Sequence, residues 1–574
     1  MIIRHRPIPD GNVPWPDDGT PALLRRIYAA RGIEGPGQLG RQLAELPPPD
    51  HLQGLDAALD ILENALQRQH RVLIVGDFDA DGATSTALGV LALESMGLAG
   101  VDFLVPNRFE YGYGLTPEIV DLALTKSPNL LITVDNGISS IEGVAAAKAA
   151  GLGVIVTDHH LPGRQLPAAD AIVNPNQPGC PFPTKNLAGV GVIFFLLTAL
   201  RGRLRARGWF AERGIPEPNM ATWLDLVALG TVADVVPLDR VNRVLVHQGL
   251  KRMRAGVCRP GILALLEVAG RERERLVAAD LGFTLGPRLN AAGRLDDMTH
   301  GIHLLLEDNP ALAREMAVEL DQLNSDRRVI EADMQREALA IVERLHLDEQ
   351  ALPWGLCLYD PDWHQGVVGL LASRIKDRFH RPVIAFGEDG NGDLKGSARS
   401  IPGLHIRDAL DAVAARHPGL LTKFGGHAMA AGLSLPRARF DAFASAFEAE
   451  VRRCLTSADL EEEILIDGVL DPAEISLDNA RWLRDAGPWG QQFPEPLFRG
   501  QFTVLEQRVL GGKHLKMTLG SGRDRGFAVD AIAFNVPPER LGGPLERVDV
   551  LYRLDVNLWR SRESVQLIIN RLLP

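Results

Sequence analysis

Arg71-Val72-Leu73-Ile74-Val75-Gly76 runs directly into Asp77-Phe78-Asp79-Ala80-Asp81-Gly82, and this junction decides the fold. The first half is a continuous apolar run of the kind that parallel sheets bury on both faces. In the second half three carboxylates alternate. On an extended segment, positions i, i+2 and i+4 point to one side, so the spacing predicts that Asp77, Asp79 and Asp81 converge. Like charges packed at the carboxyl end of a sheet are costly unless a cation neutralises them. Gly82 permits a tight turn, and Ala83-Thr84-Ser85-Thr86-Ala87 opens a helix. Taken alone, the stretch admits either a solvated acidic turn or a metal site. A calcium loop fits poorly, since that pattern needs a Glu near its end and Leu88 with its neighbours supplies none.

Outward from this junction, strands alternate with Ala- and Leu-rich helices as far as about residue 175. The clearest strands are Val101–Val105, Leu130–Val134 and Val154–Val156. Such alternation predicts βαβ units and a parallel sheet. Residues 186–305 read mainly as helices. Between Pro310 and Leu347 there is almost no Gly or Pro, and Leu312, Met316, Leu320, Leu323, Ile330, Met334 and Ile341 recur near helical spacing. A long connecting helix is expected there, starting after Asp308-Asn309-Pro310. A second βα-rich unit follows, with strands near Gly355–Tyr359, Pro382–Phe386 and Gly432–Leu435. Beyond the acidic patch Asp459–Glu463, short alternating runs such as Val550–Leu554 and Val565–Ile569 predict a small β-barrel.

A chain of 574 residues exceeds one core, and its length suggests roughly three or four domains. The boundaries read as an N-terminal arm at 1–50, a catalytic α/β domain at 51–307, the connecting helix at 308–350, a smaller α/β domain at 351–456 and a barrel at 457–574. The formal charge of −12 argues against a uniformly basic surface, yet leaves room for a basic channel beside acidic sites. Cys180, Cys258, Cys357 and Cys454 are scattered without CxxC spacing, which predicts free, mostly buried thiols in a reducing cytoplasm. The start of the chain lacks a signal-peptide core, and the longest apolar run, Ala188 to Leu200, is too short to span a bilayer. A cytoplasmic protein is expected.

Three further polar clusters are predicted at strand ends. Leu131–Val134 runs into Asp135-Asn136-Gly137, and Val154–Thr157 runs into Asp158-His159-His160. The apolar stretch from Asp225 to Ala233 runs into Asp234. Open α/β sheets bind ligands outside the carboxyl ends of their strands, so these groups are candidates for one crevice. Carboxylates with one or two imidazoles and no thiolate suit Mn²⁺ or Mg²⁺ better than structural zinc. Ligands suffice for two ions sharing a carboxylate, and paired ions clamp the attacking and leaving oxygens of phosphoryl displacement. Phosphoester hydrolysis is therefore the leading reaction class.

The ordered series DFDADG, VDNG and DHH, followed by Asp234, resembles the DHH phosphoesterase superfamily. Gly425-Gly426-His427-Ala428-Met429-Ala430-Ala431-Gly432 looks like the glycine-rich signature of the associated DHHA1 domain. Gly286-Pro287-Arg288-Leu289-Asn290-Ala291-Ala292-Gly293-Arg294 and Trp363-His364-Gln365-Gly366-Val367-Val368-Gly369 resemble the RecJ family, 5′→3′ exonucleases specific for single-stranded DNA. The resemblance implies a parallel-sheet DHH domain joined by the long helix to an α/β DHHA1 domain, with a terminal barrel like an OB-fold. It implies two Mn²⁺ or Mg²⁺ ions. Asp79 and Asp135 would hold one, with Asp77 close by or ligating. Asp81, Asp135, His159 and Asp234 would hold the other, with His160 facing the scissile phosphate and Asp158 and Asn136 orienting ligands.

The resemblance also implies a 5′-phosphate anchor at Arg288, Ser397 and Arg399, and contacts to the strand from Asn290 and His427. Pro106–Gly114 supplies Arg108 for a phosphate and Tyr113 or Tyr111 for a base. Gly396-Ser397-Ala398-Arg399-Ser400 reads as a small-residue loop suited to an anion. Lys513, Lys516, Arg523 and Arg525 are expected in barrel loops, and Arg327-Arg328 on the connecting helix as either solvated charges or interdomain contacts. A passage between the two domains would admit single strands and exclude duplex. Single-strand-binding protein and a DNA helicase are implied partners of a monomer working in repair and recombination. The rivals are a superfamily relative acting on short oligonucleotides or cyclic dinucleotides, and a non-catalytic replication scaffold.

Overall fold

The structure is a computed structural model. It describes residues 1–8, 15, 18–106, 114–344, 352–389, 392–426, 428–521, 526–537, 540–541, 543–560 and 562–573. Arg108, Tyr111, Tyr113, His427, Arg523 and Arg525 lie outside the described residues. The chain divides into two compact units, one of residues 5–321 and 465–574, the other of residues 1–4 and 322–464.

In the first unit the apolar run forms β1 (Val72–Gly76), whose five residues are all buried. Full burial of each such aliphatic side chain contributes roughly 1.5–3 kcal/mol, enough to keep this strand inside the sheet and off its edge. The chain then enters α1 (Ala80–Ser95), continues through β2 (Val101–Leu104) and α2 (Pro117–Thr125), and reaches β3 (Leu130–Val134), α3 (Ile141–Ala149), β4 (Gly153–Thr157) and β5 (Ala171–Val173). The sheet order is β2-β1-β3-β4-β5, and every pairing is parallel. Leu73, Val75, Leu131, Val154 and Val156 pack with α2 and α3 residues such as Ile119 and Val144 into one core. The carboxyl ends of β1, β3 and β4 therefore lie side by side, carrying Asp77, Asp135 and Asp158.

Helices follow: α4 (Gly189–Ala206), α5 (Leu224–Ala233), α6 (Arg240–Arg254) and α7 (Gly286–Leu295). Asp234 thus ends a helix, where a strand end was expected. A short apolar run cannot be told from a buried helix by periodicity alone, and α5, apolar but for Asp225 and Thr231, is buried from Leu224 to Thr231. Ala188–Leu200 likewise falls in a buried helix.

The predicted long helix is α8 (Pro310–Arg344), and the division between the units falls within it. In the second unit the strands β6 (Leu356–Tyr359), β7 (Val383–Glu388), β8 (Asp393–Arg399), β9 (Lys423–Gly426) and β10 (Ala430–Pro436) form a sheet of order β9-β10-β8-β7-β6. Helices α9 (Val368–Phe379), α10 (Ile406–Arg416) and α11 (Phe440–Cys454) complete it. The small-residue stretch around Ser397 is a strand, not a loop, because β8 pairs antiparallel with β7 and β10 along both edges. Gly396 serves packing there: a Cβ would lie 2.5 Å from the Phe386 ring. Arg327 bonds Glu331 and Asn324 within this unit.

The C-terminal segment closes into the expected barrel: β11 (Phe498–Leu510), β12 (His514–Gly520), β13 (Ala528–Ala533), β14 (Arg547–Trp559) and β15 (Arg562–Leu572) in the order β11-β12-β13-β15-β14. Tyr552 and Phe498 fill its interior. Lys516 sits on β12 and not in a loop, 3.6 Å from Asp530. All four cysteines are free, but only Cys180 is fully buried. Among the described residues no helix is long and apolar enough to cross a membrane.

Candidate metal centre

The DFDADG segment does not stay extended. The chain turns at Asp79, whose Oδ1 accepts the backbone N–H of Asp81 (2.9 Å) and Gly82 (3.0 Å) and so caps α1. The three carboxylates are therefore gathered by a strand-to-helix turn, not by strand alternation. Gly82 is required here, since a Cβ would lie 2.4 Å from the Asp77 carbonyl oxygen. Asp81, in the first turn of α1, is buried and accepts N–H groups from the start of another helix: Gly189 to Oδ2 (2.6 Å) and Val190 to Oδ1 (3.0 Å). The positive ends of α1 and α4 thus face the carboxylates, which offsets part of their mutual repulsion.

Asp135 leaves β3 with a left-handed backbone, φ 62°, and is buried. Asn136 holds this turn by donating to the carbonyls of Val75 (3.1 Å) and Val134 (2.9 Å), tying β1 to β3. Asp158 organises the two histidines. Its Oδ1 accepts from the backbone N–H of His159 (2.7 Å) and His160 (3.0 Å) and contacts His160 Nδ1 at 2.7 Å, while Oδ2 accepts from Ile138 (2.9 Å). His159 Nε2 lies 3.0 Å from Asp135 Oδ1 and 3.5 Å from Asp234 Oδ2. Asp234 sits at the negative end of α5, an unfavourable place for a carboxylate. The next residue, Val235, adopts φ 62°, an outlier for a β-branched residue of the kind that gathers at functional sites.

Three sets of ligand atoms lie within 4.8 Å of one another: Asp77, Asp79 and Asp135; Asp81, His159 and Asp234; and Asp135, His159 and His160. Burial and the Asp79 charge push Asp81 up to about 7. Burial and neighbouring carboxylates hold Asp135 and Asp234 well above the usual range. Burial alone would lower His160, but the Asp158 hydrogen bond and the charges of Asp158, Asp77 and Asp79 raise it to about 9. The donor set fits hard divalent cations, because buried oxygens with one or two imidazoles and no thiolate suit Mn²⁺ or Mg²⁺. Asp234 Oδ2 is buried without a hydrogen-bond partner among the described residues, as expected of an oxygen reserved for a cation.

The substrate-side candidates divide. Asn290 lies on α7, and its Oδ1 accepts the Ala80 N–H at 2.8 Å, so it braces the carboxylate turn. Gly293 lets α7 approach that turn, since a Cβ would lie 2.0 Å from the Phe78 carbonyl oxygen. Arg288 is buried and committed, donating from Nε to Asp321 (2.8 Å) and from Nη1 to the Thr284 carbonyl (2.7 Å). Ser397 and Arg399 stand on β8 of the other unit, where Arg399 Nη1 donates to the Ala398 carbonyl (2.9 Å). Within that unit, Trp363 Nε1 donates to Glu337 at 3.0 Å.

Sequence reasoning missed several supports. A Cβ at Gly189 would lie 2.6 Å from Asp135 Cβ, and one at Gly230 would lie 2.7 Å from Asp81 Oδ1. Glycines inside apolar helical runs were the available signal, since they mark close approach. Asn174 and Asn176 donate to the carbonyls of His160 (2.9 Å) and His159 (2.6 Å). The Asn-Pro-Asn sequence after β5 marks that turn.

The chain matches the DHH family, N-terminal domain, over residues 71–231, the DHHA1 domain over 352–453 and the RecJ OB domain over 466–571. It is 57% identical over 578 residues to the single-stranded-DNA-specific exonuclease RecJ of Dickeya dadantii (strain 3937), covering 100% of this chain and 99% of that relative. The chain belongs to the RecJ family. The RecJ of Escherichia coli (strain K12) is 56% identical over 555 residues, 96% of each chain. Among solved structures, RecJ from Thermus thermophilus in complex with Mn²⁺ superposes with TM-score 0.78 at 32% identity, over 96% of this chain and 76% of that one. The complex of that RecJ with Mg²⁺ gives TM-score 0.72 at 31% identity, over 96% and 74%.

Proposed function

We propose that this chain is a 5′→3′ exonuclease that hydrolyses single-stranded DNA to mononucleotides with two divalent ions, Mn²⁺ or Mg²⁺. The observation that carries the reading is the gathering of Asp77, Asp79 and Asp135 beside Asp81, His159 and Asp234 in a RecJ-family chain. Asp77, Asp79 and Asp135 would hold one ion, and Asp81, Asp135, His159 and Asp234 the other. When bound, the pair supplies charge neutralisation to the attacking and leaving oxygens of an in-line displacement.

The protein's own contributions follow from the hydrogen bonds. Asp158 fixes the His160 ring, and its hydrogen bond and charge favour the protonated imidazole. His160 then offers a proton and a positive charge to the scissile phosphate or its leaving oxygen. Asn136 and Asn290 hold the carboxylate-bearing turns. Ser397 and Arg399 are the anchor for the terminal 5′-phosphate, Arg399 through charge-assisted donors. Arg108, Tyr113 and His427 are carried from the family pattern as strand contacts. Arg288, which pairs with Asp321 in this structure, is carried from the family pattern as a further phosphate contact. The barrel offers a platform for single strands. A cytoplasmic monomer acting in repair and recombination with single-strand-binding protein and a helicase completes the proposal.

The test is digestion of end-labelled single strands with Mn²⁺, in both polarities and against matched duplex. Mononucleotides released from the 5′ end of single strands alone are expected. His160→Gln should retain DNA binding and lose release. Equal attack from both ends would overturn the polarity.

A further inference from the structure

We propose that Gly369 is a specificity-determining position, whose missing side chain seats the Arg399 guanidinium and the Ser397 hydroxyl for the terminal phosphate. The inference rests on the reading of those two residues as the 5′-phosphate anchor.

Ser397 and Arg399 alternate with Ala398 along β8. Ala398 is fully buried, in the core formed with Phe386, Leu433 and Phe443. The two polar side chains therefore leave the opposite face of the sheet. Helix α9 packs against β7 and β8. Gly369 is the second residue of that helix. A Cβ on Gly369 would lie 2.9 Å from Arg399 Nη2, 3.3 Å from Ser397 Oγ and 3.5 Å from Ser397 Cβ.

The backbone gives no reason for glycine here. Gly369 is helical and has no left-handed φ, and glycine in a helix is less favourable than alanine. Two other glycines of this unit are required by the backbone they meet. A Cβ at Gly387 would lie 2.6 Å from the Trp363 carbonyl oxygen, and one at Gly426 would lie 2.4 Å from Ala431 Cα. At Gly369 the obstructing atom is the far end of a flexible arginine. A methyl group there leaves the fold intact and pushes the guanidinium aside by about half an ångström or more. Phosphate recognition tolerates little of this, since charge-assisted donors work near 2.7–2.9 Å and binding groups must be held within about 0.5 Å.

The experiment compares hydrolysis of 5′-phosphorylated and 5′-hydroxyl single strands by wild type, Gly369→Ala, Arg399→Ala and the double variant, with thermal melts of each full chain. Gly369→Ala should melt at or above wild type and lower the preference for the phosphorylated end roughly three- to tenfold, mainly through KM. Arg399→Ala should lower it about tenfold or more. The double variant should match Arg399→Ala, because Gly369 acts through that side chain. If Arg399→Ala loses the preference and Gly369→Ala keeps it, the Gly369 inference fails and the anchor stands. If neither substitution changes it, anchor and inference fall together. A destabilised Gly369→Ala would also overturn the proposal, since the methyl group would then be meeting something less yielding than an arginine tip.

Discussion

Asp135→Asn should abolish hydrolysis and yet stabilise the ion-free protein at alkaline pH. Asp135 has φ 62°, a conformation that asparagine adopts as readily as aspartate, so the substitution removes charge without straining the turn. The contact between His159 Nε2 and Oδ1 at 3.0 Å survives, because a carboxamide oxygen also accepts. Ligand atoms of Asp77 and Asp79 lie within 4.8 Å of that of Asp135. Two like charges about 5 Å apart repel by roughly 3 kcal/mol at an effective dielectric of about 20.

The pH dependence follows from the raised carboxylates. Asp81 moves from 3.8 to about 7 on folding, a gap worth roughly 4 kcal/mol. The folded protein thus binds this proton more tightly than the unfolded chain. The resulting stability is full below 3.8 and is lost as pH rises through about 7. In chelator at pH 8, Asp135→Asn should exceed wild type by about 1–3 kcal/mol, and the gain should vanish towards pH 4. With Mn²⁺ at a hundredfold excess over its dissociation constant, wild type should gain about 2.7 kcal/mol, the variant less, and the order should invert. Denaturant unfolding at both pH values, with and without Mn²⁺, measures this. An ion-free variant no more stable than wild type at pH 8, or equal stabilisation of both by Mn²⁺, would refute the reasoning.

Asp158→Asn should bring His160 down from about 9 towards 6.5 and shift the alkaline limb of the rate profile down by at least one pH unit. An unmoved limb would remove His160 as the proton donor. Asn290→Ala strips the acceptor from the Ala80 N–H and should cost about 1–2 kcal/mol of stability while weakening Mn²⁺ affinity. Wild-type affinity would separate α7 from the metal turn. Burial and the charges of Arg41, Arg254 and Lys251 lower His247 to about 4. Its contribution to stability is therefore lost as pH falls from 6.5 towards 4, and His247→Gln should flatten that part of the melting curve.

The parallel sheet was legible because β1, β3 and β4 are apolar throughout and each runs into a polar cluster. The long helix was legible because nothing between Pro310 and Arg344 breaks it. Asp234 was placed on a strand because its apolar lead-in carries no periodicity, and only burial on all sides reveals a helix. The Ser397–Arg399 segment read as a loop because its small residues hide a strand whose partners lie elsewhere in the chain. Arg288 looked available from its motif. Its partner Asp321 is 33 residues away, and no local pattern announces a pairing at that range. The supports at Gly189, Asn174 and Asn176 escaped for the same reason, since each is defined by what it meets and not by its neighbours in sequence.

The two oxygens of Asp81 close the first turn of α4, a helix of 18 residues. A cation drawing on that carboxylate must loosen its hold on the Gly189 and Val190 amides, and a vacated site must tighten it. Deuterium uptake and nitrogen chemical shifts at these two amides thus form a spectroscopic gauge of occupancy. The gauge is written into the backbone and readable in the resting enzyme, before any DNA is added.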